Sequence, residues 1–263
     1  MNKDNLRIGL LTCIWKRHNL TNIVLNYYKK LQNDLMKSNI ELELVAVGSE
    51  KDVSKKLSLM NNFDYVEAPN TPLGSKWNAG CLKMQEKQVD ATVIVGSDDL
   101  LNKEIFLLYK ECLLGSALYI GFTQLYFYEL QSGKILLWKG YNDGRNVKTI
   151  GLGRCIHKSY LEMLNWKLWS DNIDCGLDKN MTERLSTKSY FIENLDKHLR
   201  FKCESNPFFP LDIKTDLNMW SYSQIKNLSE NIEFDEDGFI SNIYTDNVYN
   251  SLIKLRKRLL SCN

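Results

Sequence analysis

Apolar runs and amphipathic stretches alternate through the first third of the chain. Residues 7–14 are almost continuously apolar, as expected of a central strand buried on both faces. Thr21 can cap a helix, and beyond it Val24, Tyr27, Tyr28, Leu31 and Leu35 recur at helical spacing. Leu42, Leu44 and Ala46 alternate with Glu41, Glu43 and Val45, which predicts a second strand ending at Val47 and Gly48. A short helix over residues 53–60 and a short strand over 65–67 follow. Residues 91–95 form another buried strand, rich in β-branched side chains and broken off by Gly96. Such alternation predicts an α/β fold with a largely parallel sheet.

The rhythm then changes. A helix is predicted over residues 102–113, with Ile105, Leu108 and Cys112 on one face. A long aromatic strand over 118–128, the turn at 131–134 and the run 135–138 predict an antiparallel hairpin. The glycine-rich stretch 140–153 reads as a connecting loop. A strand at 154–156, a helix over 158–165 with Leu161 and Leu164 inward, and a strand at 190–193 come next. Residues 208–213 and Lys214 lead to a helix that Ser221 or Ser223 can cap. The acidic stretch 233–238 reads as a linker, and residues 249–260 as a terminal helix carrying Lys254, Arg256, Lys257 and Arg258. Such a basic helix either packs by one face or touches membrane or nucleic acid.

Composition adds bounds. At 263 residues and 44% hydrophobic side chains, the chain can build a substantial core. The formal charge of +2 does not mark a bulk nucleic-acid binder. Seven scattered cysteines without a C-x-x-C pair indicate reduced thiols and a cytoplasmic setting. The amino-terminal apolar stretch is too short for a signal peptide, and no run is long enough to cross a membrane.

Three stretches carry candidate chemistry. Ser97, Asp98 and Asp99 follow the strand at 91–95 directly. In an open α/β sheet ligands bind beyond the carboxyl ends of strands, and adjacent carboxylates there can hold a divalent cation and, through it, a diphosphate. The alternative is an aspartate that caps the next helix. Residues 69–80, PNTPLGSKWNAG, make a stiff loop and then a helix opened by Ser75, with Trp77, Cys81 and Met84 inward. Lys76 in its first turn opposes the helix dipole, so it is either a surface lysine or the partner of an anionic ligand. Finally, Asp178 follows Cys175, Gly176 and Leu177 and opens a helix carrying Met181 and Leu185, as a reactive carboxylate or as a cap.

In order and spacing, these stretches resemble the GT-A nucleotide-sugar glycosyltransferases, most closely the family 2-like branch, from about residue 7 to residue 220. The matching pieces are Thr12-Cys13, Gly48-Ser49-Glu50, PNTPLGSKWNAG, VGSDD in place of an Asp-x-Asp motif, and GLGRCIHKSYLEMLNWKLW followed by GLD. The resemblance implies a Rossmann-like GT-A domain over residues 1–230, with a linker and basic helix over 231–263. It implies transfer of a sugar from a nucleoside-diphosphate sugar, a UDP-sugar being expected, to an acceptor hydroxyl; a single base suits inversion, whereas retention would need another arrangement. Asp99 and Asp98 would hold Mn²⁺ or Mg²⁺, and Asp178 would be the general base. Thr12, Cys13, Glu50, Lys76, Asn78, Ser97 and Asp98 would line the donor, and Trp138, Tyr141, Arg154 and Trp169 the sugar or acceptor. The acceptor stays open among glycan, protein, lipid carrier, small molecule and modified DNA base. Ser97 departs from a strict Asp-x-Asp pattern, and the absence of membrane helices and of a processive motif after Trp220 argues against a polymer synthase. A sugar nucleotidyltransferase is the first rival, although TCIWKRHNL after the first strand lacks the glycine-rich loop such enzymes carry. A non-catalytic binding module on the same fold is the second.

Overall fold

The computed structural model describes residues 5–141, 149–204, 206–216, 218, 222–227, 231–236 and 238–261. The amino-terminal half runs β1 (Leu6–Ile14), α1 (His18–Met36), β2 (Ile40–Gly48), α2 (Asp52–Met60), β3 (Asp64–Glu67), α3 (Leu73–Glu86), β4 (Ala91–Ile94), β5 (Asp99–Leu100) and α4 (Lys103–Leu114). Then come β6 (Tyr119–Phe122), β7 (Leu125–Glu129), β8 (Lys134–Trp138), β9 (Arg154–His157), α5 (Lys158–Met163), α6 (Leu177–Ser186) and α7 (Ser189–Glu193). The chain ends with β10 (His198–Phe201), β11 (Leu211–Lys214), α8 (Tyr222–Lys226), β12 (Ile232–Asp235), α9 (Phe239–Ile243) and α10 (Asp246–Ser261).

Two sheets result. The main sheet has the order β10-β6-β9-β4-β1-β2-β3, parallel apart from β9. A smaller mixed sheet has the order β12-β8-β7-β11-β5. The central strand β1 is buried as its apolar run requires, with Ile8, Leu10, Leu11 and Ile14 fully covered. One apolar cluster joins α1, α4, α10 and the small sheet to one face of the main sheet; a second joins α3, α5, α6 and α7 to the other.

Several local expectations are corrected. The aromatic stretch is two strands in two sheets, because the chain breaks pairing at Thr123 and Gln124, where Gln124 Oε1 accepts the Cys203 N–H at 3.0 Å. Residues 190–193 lie in the short helix α7; only Phe191 faces the core, while Tyr190 and Ile192 are exposed, so no strand-like buried face exists. Glu233 belongs to the edge strand β12, paired with β8, rather than to a linker. Thr21 lies inside α1, which starts at His18, and Ser75 inside α3, which starts at Leu73. Residues 142–148 of the glycine-rich stretch, Trp220, Ser221 and Cys262 lie outside the described residues. The six described cysteines are free thiols. Among the described residues no helix is long and apolar enough to cross a membrane.

Candidate active site

The turn after β4 is pinned by its neighbours. The Val95 N–H donates to Leu11 O at 3.1 Å, and the Ile213 N–H of β11 donates to Asp98 O at 3.0 Å. From α1, the buried Tyr28 hydroxyl donates to Asp99 O at 3.1 Å and accepts the Leu101 N–H at 3.0 Å. Within this frame the Gly96 N–H donates to Asp99 Oδ2 at 2.5 Å. A Cβ on Gly96 would lie 2.8 Å from Asp98 Oδ1 and 2.8 Å from Asp99 Oδ2, so two carboxylates converge where only glycine leaves room. Asp212 stands beside Asp99 in the β11–β5 register and is bound by Lys214 at 2.7 Å. Burial, then the charges of Asp212 and Asp98, hold the Asp99 carboxyl well above the usual carboxylate range. Burial likewise pushes Asp212 up to about 6 against the pull of Lys214.

Among the described residues no three His, Cys, Asp or Glu side chains group into a ready cation cage. A Mg²⁺-like ion at a diphosphate site needs fewer, since one or two carboxylates suffice when substrate phosphates and waters complete its shell. The paired carboxylates around Gly96 fit that requirement.

Arg17 faces the same turn. Its guanidinium donates to Asp98 Oδ2 at 2.5 Å, to Asp98 Oδ1 at 3.4 Å and to Ser97 Oγ at 3.4 Å, and Asn218 adds a third bond to the Asp98 carboxylate at 2.7 Å. The loop that delivers it is unusual: Lys16 and Arg17 have φ of 55° and 47°. Left-handed backbone at non-glycine residues costs about 1–2 kcal/mol each. Glu50 secures this loop, accepting the Lys16 N–H at 3.0 Å and meeting the His18 ring at 2.7 Å. Burial would raise the Glu50 carboxyl, but the bonds from His18 and Lys16 outweigh it and hold it below its ordinary value.

The other expected donor residues are placed as follows. Thr12 is buried in β1, and its hydroxyl has no hydrogen-bond partner. Burial raises the Cys13 thiol, while Lys76 opposes the shift. Lys76 is no surface lysine: it is 1% exposed and donates to Ile14 O at 2.7 Å and Asn70 Oδ1 at 3.1 Å. Burial lowers its pKa against the pull of Cys13 and Glu50. The start of α3 is also occupied, because the Leu73 N–H donates to Asp174 at 2.8 Å and the Gly74 N–H to Ile173 O at 2.8 Å. An anion at those two amides is therefore ruled out as the reason for the lysine. Asn78 is a brace: its amide donates to Trp169 O and Asp171, both at 2.8 Å, and accepts the Trp169 N–H at 3.1 Å.

Asp178 sits in the first turn of α6, two residues past Gly176, which occupies the cap position at φ 66°. The expected capping role is thus absent, and its Oδ2 instead accepts the Gly151 N–H at 3.0 Å. A Cβ on Gly151 would lie 2.1 Å from Asp178 Oδ1. Arg154, paired with Ile94 at the end of β4, donates to Asp178 O at 3.0 Å and to Thr149 O at 2.6 Å. This buried arginine is a staple, not a surface for sugar. Trp169 is likewise buried against Trp77, 5.4 Å away, and Trp138 is buried against Tyr141 at 5.0 Å.

Reading the sequence missed Arg17, Asp212, Lys214 and Asn218. The signal for two of them was faint: Leu211 and Ile213 enter the core, which sends Asp212 and Lys214 to the other face of β11. Nothing in the spacing brings residue 17 or 218 to residue 98; the fold does.

No family model matches this sequence, and no curated protein matches it. Solved structures do. S. aureus TarS, residues 1–349, in complex with UDP-GlcNAc superposes with a TM-score of 0.56 at 11% identity, over 81% of this chain and 60% of that one. The chain thus spans less than two thirds of that TarS structure. Glucosyl-3-phosphoglycerate synthase from Mycobacterium tuberculosis, in complex with Mn²⁺, UDP and glucosyl-3-phosphoglycerate, superposes with a TM-score of 0.51 at 10% identity, over 82% of this chain and 75% of that one. At 10–11% identity the likeness is one of fold, and it agrees with the mostly parallel, helix-flanked main sheet: the chain has a GT-A, Rossmann-like fold.

Proposed function

We propose that this protein transfers a sugar from a nucleoside-diphosphate sugar, expected to be a UDP-sugar, to an acceptor hydroxyl with inversion at the anomeric carbon. The observation that carries the reading is the convergence of Asp98 and Asp99 around Gly96 at the carboxyl end of β4 in a GT-A fold. The similar structures agree in kind, since one holds UDP-GlcNAc and the other Mn²⁺ and UDP.

Asp98 and Asp99 would hold Mn²⁺ or Mg²⁺, which as a Lewis acid neutralises the leaving diphosphate. Lys76 adds a buried positive charge beneath the carboxyl end of β1, where Thr12 and Cys13 would border the nucleotide. Ser97 and Glu50 shape the same wall, Glu50 by fixing the loop after β1. Asn78 acts at one remove, by holding the segment around Trp169. Asp178 accepts the proton of the attacking hydroxyl; the Gly151 N–H fixes one of its oxygens, and Arg154 fixes its backbone.

The test is a panel of nucleotide-sugars with the purified protein, scored for nucleotide release with and without Mn²⁺. Turnover of one donor that EDTA abolishes is the expected result. No turnover of any donor, or pyrophosphate release from a nucleoside triphosphate and a sugar phosphate, would overturn the proposal.

A further inference from the structure

Asp98 is not held as an open ligand. Arg17 covers it at 2.5 Å, and the two side chains are only 18% and 11% exposed. The pair sits off the regular path of the chain, because β1 must pass through two left-handed residues, Lys16 and Arg17, before α1 begins. The Lys16 N–H and the His18 ring both bind Glu50, so the residue between them is presented from a clamped turn. Such a turn delivers one guanidinium to one carboxylate, and that carboxylate is half of the pair converging on Gly96. A guanidinium and a divalent cation both need the oxygen electrons of Asp98, and charge repulsion opposes their sharing them at contact distance.

We propose that Arg17 is the resident counter-ion of Asp98 and competes with the metal for it. It keeps the carboxylate paired and oriented while the site is empty, and it is displaced when a divalent cation loads. Arg17 is then a positioning residue that sets the metal affinity of the site. This rests on the metal-site reading of Asp98 above, and the experiment separates the two.

Mn²⁺ alone, without nucleotide, is titrated into the unaltered protein and into folded Arg17→Gln, Arg17→Lys and Asp98→Asn variants, with free Mn²⁺ read by electron paramagnetic resonance. Removing the competing charge in Arg17→Gln should tighten Mn²⁺ binding about tenfold, the scale of one charge-assisted hydrogen bond. Arg17→Lys, which keeps the charge, should stay near the unaltered protein, and Asp98→Asn should lose binding. In the unaltered protein, saturating Mg²⁺ should move the Arg17 guanidinium NMR signal to the position of a solvent-exposed arginine, a readout that needs no Arg17 variant. Unchanged or weaker Mn²⁺ binding in Arg17→Gln while Asp98→Asn abolishes it, or a guanidinium signal that ignores Mg²⁺, overturns the competition and leaves the metal site standing. Undiminished binding in Asp98→Asn overturns both.

Discussion

At the carboxyl end of the main sheet the two key carboxylates are held in different ways. On the side packed by α1 and the small sheet, Asp98 meets a full cation and an amide, Arg17 and Asn218. On the side packed by α3, α5 and α6, Asp178 meets, among the described residues, one neutral donor to its carboxylate, the Gly151 N–H. A carboxylate neutralised by a cation is prepared to exchange it for another cation. A carboxylate oriented by one amide keeps its charge for a proton. Both depend on a glycine whose missing side chain makes room, Gly96 for one and Gly151 for the other. The contrast assigns metal work to the first and proton work to the second, and it can be attacked from either side.

The largest effect is expected at Asp178. Asn at this position can still accept the Gly151 N–H, so Asp178→Asn should melt within a few degrees of the unaltered protein and bind Mn²⁺ and donor normally. Transfer should fall by about a hundredfold or more, the usual scale for a lost general base. Near-normal transfer by the folded variant would remove Asp178 from the chemistry and erase the contrast.

The glycines permit a crossed test. In Gly96→Ala the new methyl would sit 2.8 Å from both the Asp98 and Asp99 carboxylates, and in Gly151→Ala 2.1 Å from that of Asp178. Neither glycine has a φ that alanine avoids, so each change is steric and should cost about 1–3 kcal/mol of stability. Gly96→Ala should weaken Mn²⁺ binding and turnover together, whereas Gly151→Ala should slow transfer with Mn²⁺ affinity intact. Loss of Mn²⁺ affinity in Gly151→Ala, measured by Mn²⁺ titration beside donor turnover, would show that the two carboxylates do not divide the work.

Much of the first side was legible because local pattern and fold agree there. The apolar run of β1, the helical spacing of α1 and the strand before Gly96 are dictated by burial, and the structure places them as the pattern requires. The side-chain partners were not legible. Arg17 reaches Asp98 across 81 positions and Asn218 across 120, and no period or spacing encodes such a meeting. Lys76 shows the same gap: a lysine in a first helical turn reads either as solvated or as the partner of an anion, and the sequence gives no sign that the carbonyl of Ile14 draws it inside. The strand expected at residues 190–193 failed for another reason, since four residues are too few for tertiary packing to be outvoted by propensity.

Lys76 yields a smaller, more local prediction. Lys76→Met keeps the length of the side chain and removes a buried charge, so the fold should survive. Donor affinity in isothermal titration should fall about tenfold if the cation supports the diphosphate, on the scale of one charge-assisted hydrogen bond. A turnover defect at unchanged donor affinity would point instead to a catalytic or structural role for Lys76.

The smallest effect separates the two sides by pH. His198 in β10 packs against Phe191 of α7 at 4.3 Å and bonds the Tyr160 hydroxyl at 2.7 Å, on the Asp178 side of the sheet. Burial, then the neighbouring Arg200, lowers its pKa from 6.5 to about 4. The folded protein therefore keeps this ring neutral where the unfolded chain has already taken a proton. Stability from this group is complete above about pH 6.5 and is lost as the pH falls toward 4. Because the site is only partly buried, the loss between pH 7 and 5 should be about 1 kcal/mol, a shift of a few degrees in melting temperature. His198→Phe, which keeps the aromatic packing and cannot titrate, should flatten that part of the profile. Acid should loosen α7, and α6 just before it, ahead of the β4 turn, so hydrogen exchange at pH 5 should rise at residues 177–193 before it rises at 96–101. Equal rises in both segments, or an unaltered pH profile in His198→Phe, would show that the two faces are not independently supported.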